Sequence, residues 1–228
     1  MALSRELTNR IRWFLDETLP PIVRDSALFN VLLRVVARGQ YALFRDFRDG
    51  VPAMSEQEFA GVYESVQAIE RETDLSRASL DAILAAVSGP KVLDAGAGRG
   101  FLAGRLLKAG FDVTAVDVAP QTMSDARIAF HQASVETLPF DDAAFDTVIS
   151  THMLEHVRDL PAAITELRRV ARKRLIVVVP RQRPYRVSFD LHLSFFPYEW
   201  NLRAALGARG TVEVRDLEGD WFYTETYS

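Results

Sequence analysis

The residues best suited to chemistry are one aspartate followed by three glycines at alternate positions: Asp94, Gly96, Gly98 and Gly100. Glycine lets a backbone turn sharply and approach a ligand closely. A helix that starts after such a turn points its first amides at the ligand. Asp117 ends the next apolar segment, where its carboxylate can accept hydrogen bonds from both hydroxyls of a ribose. The pattern predicts a site for an adenosine-containing ligand.

The spacing of the glycines distinguishes two kinds of cofactor site. Dinucleotide sites use G-x-G-x-x-G, whose third glycine permits close packing of helix on strand. Residues 96–100 read G-x-G-x-G, and the bulky Phe101 stands where that third glycine is needed. A nicotinamide dehydrogenase is therefore disfavoured, although Asp117 suits either cofactor.

Alternating strands and helices after residue 90 would position this loop. They predict a doubly wound, Rossmann-like α/β sheet, which binds ligands outside the carboxyl ends of its strands. The predicted strands cover 91–95, 112–117, 132–136, 145–151, 174–180, 211–216 and 221–226, and the predicted helices cover 100–109, 120–130, 160–172 and 197–206. Residues 217–220 leave room only for a hairpin, so the last strand is predicted to be antiparallel.

Residues 1–77 are predicted to form a helical extension, separate from an α/β domain at 78–228. Ser55 and Glu58 have the spacing of a capping box, so one helix is predicted to begin there. We expect these helices to cover the cofactor cleft as a lid. Tyr63 is the residue predicted to reach the cofactor or the acceptor.

The apolar residues of this extension leave an alternative open. The face around Trp13, Phe29 and Phe44 is a candidate for contact with a membrane or a partner. Packing in a core is favoured, because each helix must bury its apolar stripe. The most apolar stretch, 27–37, is far shorter than the ~20 residues of a membrane span, so no transmembrane segment is predicted.

Composition excludes several classes of function. There is no cysteine, which removes disulfides, thiol nucleophiles and cysteine-ligated metals, and the net charge of -4 argues against nucleic acid as a partner. Charged residues interrupt the first 18 positions, so no secretory leader is predicted and a cytoplasmic location is expected. No metal is predicted, and the oligomeric state is left open.

Four blocks of sequence, in this order, resemble the class I S-adenosylmethionine-dependent methyltransferases. The blocks cover 92–100, 113–117, 138–150 and 154–157. In style they are similar to the small-molecule subgroup that includes quinone- and sterol-methylating enzymes, and the resemblance extends over about 80–215. It implies a seven-stranded sheet of order 3-2-1-4-5-7-6, with S-adenosyl-L-methionine as the cofactor.

The resemblance also implies roles for the residues of the loop. Asp94 resembles the acidic residue that orients the amino-acid end of the cofactor. Gly96, Gly98 and Gly100 resemble the loop beneath that end, and Asp117 resembles the carboxylate that binds the ribose.

Further positions complete the implied cofactor pocket. Val118 would lie against the adenine. Ser134, followed by Val135, stands where relatives carry an acidic residue for the adenine amino group, so this chain departs from the common pattern there. Thr151 and His152 lie where the family contacts the methionine part.

The predicted reaction is an in-line methyl transfer to a small-molecule or glycan-type acceptor, with oxygen favoured. The cofactor brings the electrophile and the leaving group, and the protein brings alignment. A hydroxyl acceptor must lose a proton, and the candidate bases are His156 and His192. A carbon or nitrogen acceptor remains an alternative, as does a regulatory protein that binds S-adenosylmethionine without turnover.

A long connection after the fifth strand is the predicted acceptor wall. It contains Arg181, Arg183 and Arg186 together with tyrosines, a set that suits an anionic or sugar-like acceptor. The alternative is a solvated loop with an apolar anchor. Asp146 is predicted to hold the start of its strand rather than a ligand.

Overall fold

Seven strands occur in the part of the chain that the structure describes. The structure is a computed structural model, and it describes residues 18–37, 41–55, 57–59, 61–62, 73, 75–185, 187 and 191–228. The strands are β1 (Lys91–Ala95), β2 (Asp112–Asp117), β3 (Ala129–Gln132), β4 (Phe145–Thr151), β5 (Ala171–Pro180), β6 (Thr211–Leu217) and β7 (Asp220–Thr226). The helices are α1 (Pro21–Arg24), α2 (Ala27–Ala37), α3 (Tyr41–Gly50), α4 (Arg77–Ala86), α5 (Phe101–Lys108), α6 (Leu160–Val170) and α7 (Glu199–Leu206), and a 3-10 turn covers Val51–Ala53.

The strands form one sheet in the order β3-β2-β1-β4-β5-β7-β6. Neighbouring strands from β3 to β5 are parallel, and β7 is antiparallel to both β5 and β6. The predicted doubly wound sheet, its strand order and its antiparallel last strand are therefore confirmed. Three strands, β1, β2 and β4, also have the predicted bounds.

The sheet is covered on both faces. The chain moves from β1 to β2 through α5 and from β4 to β5 through α6, in opposite directions across the sheet. Right-handed crossovers therefore place these two helices on opposite faces. On the α5 face, Ile83 and Leu106 pack with strand residues such as Val113, Ile149 and Ile176, all fully or almost fully buried.

The helix predicted for 120–130 is wrong. The described segment between β2 and β3 contains turns instead. The Asp125 carboxylate accepts a hydrogen bond from the backbone amide of Arg127 (3.0 Å) and pairs with its guanidinium (2.7 Å), and the Ile128 amide donates to the Asp125 carbonyl. Such local side-chain bonds offer the backbone an alternative to a helix.

Several element boundaries also differ from their predictions. The strand predicted for 132–136 lies at Ala129–Gln132, because Ser134 starts a turn in which its Oγ accepts from the Glu136 amide. The helix predicted for 160–172 ends at Val170, and β5 begins at the next residue rather than at 174. There Lys173 pairs with Asp146 (3.1 Å). This contact lies at the start of β4 and supports the predicted role of Asp146.

The chain divides into two compact units. One consists of Met1–Glu70 with Gln182–Pro197, and the other of Arg71–Arg181 with Tyr198–Ser228. The predicted division at residue 77 and the lid function stay predictions. Among the described residues, no helix has the length and apolar character needed to cross a membrane.

The first unit has an apolar core of its own. Phe44, Phe47 and Val51 pack there with Val187 and Leu191. The burial of Phe44 fits the favoured interpretation of core packing. The predicted capping box is confirmed: the Ser55 amide donates to the Glu58 carboxylate (2.8 Å), and the Glu58 amide donates to Ser55 Oγ (3.3 Å). Trp13 and Tyr63 lie outside the described residues.

Candidate functional site

The glycine loop follows β1 at the carboxyl edge of the sheet. Gly96, Gly98 and Gly100 all have positive φ, at 78°, 49° and 76°, which L side chains adopt only at a cost. The Gly96 and Ala97 amides both donate to the Val116 carbonyl of β2 (2.9 and 3.0 Å). The backbone conformation predicted for a ligand-binding turn is therefore present, and it is attached to the neighbouring strand.

The surroundings of the three glycines differ. A Cβ at Gly96 would lie 2.4 Å from Cγ of Met153, and one at Gly100 would lie 2.8 Å from Sδ of Met123. A Cβ at Gly98 would meet no atom within 4 Å. The two outer glycines thus permit close packing on methionines, whereas the middle one faces open space.

Asp94 lies one residue before the end of β1 and is 1% exposed. Neither carboxylate oxygen accepts a hydrogen bond of normal geometry. Burial raises the pKa of Asp94 to about 7; the Ala103 amide opposes this and the negative charge of Asp117 adds to it. Burying a carboxylate without such a hydrogen bond costs free energy, and a bound donor or cation would offset that cost.

Asp117 ends β2 beside the loop. Its Oδ2 accepts from the Gly98 amide (2.8 Å) and its Oδ1 from the Ala119 amide (3.0 Å). A carboxylate offers about four lone-pair positions, so it can also accept from a ribose. The next residue, Val118, is 59% exposed.

The turn after β3 contains the other residues predicted for the adenine. Ser134 is half-buried and Val135 is buried. The nearby carboxylate of Glu136 accepts from the amides of Arg158 and Asp159, both at 3.0 Å, just before α6. Glu136 therefore has a structural role at the start of that helix.

The residues after β4 form a tight turn at the same edge. Thr151 ends the strand, and His152 has a φ of 49° and donates its amide to the Val178 carbonyl of β5 (2.8 Å). The side chain of His152 lies between two buried carboxylates, with Nδ1 3.6 Å from Glu155 and Nε2 3.4 Å from Asp220. Glu155 and Asp220 are not predictable as site residues from the sequence, because the local pattern does not indicate the burial of either.

The two candidate bases belong to different units. His156 is half-buried in the turn after β4, where its amide donates to the Met153 carbonyl (2.9 Å). His192 is 6% exposed, and its Nδ1 lies 2.5 Å from Gln182 Oε1. His156 thus follows the strand end on the cofactor side, whereas His192 belongs to the unit with the N-terminal helices.

The residues of the predicted acceptor wall are only partly described. Arg181 follows β5 and forms an ion pair with Asp216 (3.2 Å), and its amide donates to the Gly219 carbonyl. Arg183 is half-buried in the other unit, and Arg186 lies outside the described residues. An anionic acceptor at Arg181 would compete with Asp216.

Comparisons with known sequences concern the family of the α/β part of the chain. A family model described as a methyltransferase domain matches residues 93–179. The malonyl-(acyl-carrier protein) O-methyltransferase of Serratia marcescens is 35% identical over 118 residues, which are 50% of this chain and 45% of that protein. The ubiquinone biosynthesis O-methyltransferase of Methylocella silvestris is 37% identical over 83 residues, 32% of each chain. The chain thus spans less than half the length of these two relatives.

The fold agrees with a solved structure as well. The 1,6-didemethyltoxoflavin-N1-methyltransferase of Burkholderia thailandensis, solved with S-adenosylhomocysteine, has a TM-score of 0.57 and 21% identity, covering 75% of this chain and 86% of that one. At this identity the likeness concerns the fold. Together with the sheet order, the match at 93–179 shows that the chain contains a methyltransferase domain.

Proposed function

We propose that the chain transfers a methyl group from S-adenosylmethionine to an oxygen atom of a small-molecule acceptor. The observation that carries this proposal is the buried carboxylate of Asp94, which lacks a hydrogen bond of normal geometry beside three glycines of positive φ. An unsatisfied buried polar group costs about 1–3 kcal/mol, and more when charged. The amino group of the cofactor would offset that cost.

The other residues of the loop suit the remaining parts of the cofactor. Gly100 caps α5 without a side chain, so the first amides of this helix can receive the carboxylate of the methionine part. Asp117 would bind the ribose hydroxyls, with Val118, Ser134 and Val135 around the adenine. Thr151 would face the methionine part. When bound, S-adenosylmethionine supplies the electrophilic methyl group and the leaving group.

The task left to the chain is to align the acceptor and, for a hydroxyl, to remove its proton. His156 is the proposed base, because it follows β4 at the edge where the cofactor loop lies. His192 remains a second candidate. Arg181, Arg183 and Arg186 are proposed to bind the acceptor, together with Tyr63.

The choice of oxygen is supported by the relatives. Both proteins compared above carry an O-methyltransferase name. One name specifies a malonyl thioester and the other ubiquinone biosynthesis, so both a carboxylate and a phenolic hydroxyl are candidates for the accepting group.

Calorimetry with S-adenosylmethionine, S-adenosylhomocysteine and NAD tests the cofactor part of the proposal. We expect micromolar binding of both adenosyl compounds and no heat with NAD. Binding of NAD alone would overturn the proposal. Binding of the adenosyl compounds, without transfer of labelled methyl to any malonyl thioester or catechol, would favour a regulatory protein.

The variant His156→Gln tests the base. We expect turnover on a phenolic acceptor to fall about 10²- to 10⁴-fold, the usual contribution of a general base, while the affinity for S-adenosylhomocysteine stays unchanged. His131→Gln, at an exposed position of β3, is the matched control. Full turnover in His156→Gln would remove this residue from the mechanism.

A further inference from the structure

A histidine and two acidic residues form a buried cluster at the carboxyl edge of the sheet. His152 follows β4, Glu155 lies in the same turn, and Asp220 begins β7, where it pairs with Pro180 of β5. Glu155 is 1% exposed and Asp220 is 4% exposed. The cluster thus connects the turn after β4 to the β6–β7 hairpin across β5.

The charges of this cluster require a cation. Two carboxylates in a low-dielectric interior repel each other and are costly unless paired. Burial alone would lower the pKa of His152, but the facing carboxylates of Asp220 and Glu155 outweigh it and raise the pKa to about 10. Both ring nitrogens face a carboxylate. The imidazolium therefore has no lone pair for removing a proton from an acceptor.

The backbone of the same turn reaches the glycine loop. Met153 directly follows His152, and its side chain lies so close to Gly96 that a single added Cβ would clash with it. A shift of the turn by a fraction of an ångström would move this methionine toward the loop or away from it. The position of His152 therefore influences the shape of the pocket where Met153 contacts the glycine loop.

We propose that His152 is a positioning residue of the cofactor site. Its imidazolium lies between Glu155 and Asp220 and fixes the turn after β4. The fixed turn then keeps the side chain of Met153 packed against Gly96. The proposal rests on the glycine loop being the cofactor site. In this proposal His152 acts through Met153 rather than by contact with the reacting atoms.

The variant His152→Gln tests this role, since it keeps a hydrogen-bonding side chain but cannot carry the charge. We expect the Kd for S-adenosylhomocysteine, measured by calorimetry, to rise about tenfold. His131→Gln, on exposed β3, should leave the Kd unchanged. In the double variant His152→Gln with Asp220→Asn, one carboxylate charge is also removed, so the combined loss of affinity should be smaller than the sum of the two single losses.

Nitrogen-detected NMR of the wild-type protein gives a readout that does not depend on any variant folding. We expect one imidazole to stay protonated on both nitrogens at pH 8 and to be assigned to His152. A His152 that titrates near 6.5, or a Kd that is unchanged in His152→Gln, would overturn the inference while the cofactor site stands. Failure of the wild-type protein to bind S-adenosylhomocysteine would overturn the proposed function and this inference together.

Discussion

At the scale of single residues, the protein keeps the carboxylate of Asp94 buried beside the glycine loop. Asp94 is buried among apolar strand residues and lacks a hydrogen bond of normal geometry. Burying this carboxylate without a partner costs free energy in the ligand-free protein. A cationic group that binds it would relieve this cost and so bind more tightly. This would explain why an acidic residue, rather than a hydrophobic one, lies near the end of a strand in the middle of the sheet.

The first prediction concerns the pH dependence of stability. In the folded state the pKa of Asp94 is about 7 and in the unfolded state about 4, so the folded protein binds this proton more tightly. Its contribution to stability is complete below about pH 4 and is lost as the pH rises through 7. In Asp94→Asn this loss should vanish, which leaves the ligand-free variant more stable than the wild type at pH 8 by on the order of a few kcal/mol.

Urea unfolding of both proteins at pH 5 and pH 8, without cofactor, measures this effect. The difference in the free energy of unfolding should grow with pH. The same variant should bind S-adenosylmethionine more weakly. A stability difference that is equal at the two pH values would show that the Asp94 carboxyl does not titrate as stated.

The second prediction separates the steric clash of an added Cβ from the backbone strain of a positive φ, by comparing Gly96 in the loop with Gly110 after α5. Gly96 and Gly110 both have positive φ, 78° and 94°, but an added Cβ would clash with Met153 at Gly96 and would meet nothing within 4 Å at Gly110. Gly110→Ala should cost about 1–2 kcal/mol of stability through strain alone. Gly96→Ala should cost more and weaken cofactor binding at least tenfold.

Urea unfolding and calorimetry with S-adenosylhomocysteine distinguish these variants. Adding Met153→Ala to Gly96→Ala should restore part of the stability, since it removes the atom with which the new Cβ collides. If Gly96→Ala behaves like Gly110→Ala in both measurements, the packing of Met153 on the loop contributes neither to stability nor to cofactor affinity.

At the scale of elements, continuous apolar segments were easy to predict and polar segments were not. The bounds of β1, β2 and β4 could be predicted, because parallel strands covered on both faces are near-continuous runs of apolar residues. The segment after β2 was predicted as a helix from Pro120. Its Asp125 instead makes a local turn. The two outcomes differ by a few side-chain hydrogen bonds, which local composition does not reveal.

The third prediction concerns a buried ion pair that joins three elements. Arg168 of α6 pairs with Glu225 of β7 (2.7 Å) and donates to the carbonyls of Leu206 and Gly207 at the end of α7. Its side chain is 7% exposed and that of Glu225 is not exposed at all. Arg168→Met leaves a buried carboxylate without its cation, so the variant should lose about 3–5 kcal/mol of stability.

Urea unfolding checks the size of this loss. The double variant with Glu225→Gln should regain part of it, since no charge is then left buried. The affinity of folded Arg168→Met for S-adenosylhomocysteine should match the wild type, because the pair lies away from the glycine loop. A loss below about 1 kcal/mol would mean that solvent reaches the pair.

At the scale of the whole molecule, binding and stability are linked. A ligand that binds only the folded state stabilises it by about 2.7 kcal/mol at a hundred times its Kd. S-adenosylhomocysteine should therefore raise the melting temperature by several degrees. Asp117→Ala should remove most of this rise, whereas Asp112→Ala, at the exposed opposite end of the same strand, should retain it in full. Scanning calorimetry measures the rise in melting temperature. Equal rises in both variants would exclude Asp117 from the site.

The order of residues along the chain was sufficient to predict the sheet and the loop that carries the candidate site, and the resemblance to class I methyltransferases implied the strand order. Hydrophobic periodicity and glycine spacing are local properties, and in a parallel sheet they place Asp94 and Asp117 at one edge. The cluster of His152, Glu155 and Asp220 was not predictable in this way. It depends on β7 lying antiparallel beside β5, which brings together residues almost seventy positions apart. Their burial and charge coupling arise only once the sheet is complete, because no local pattern records which polar side chains lose their water.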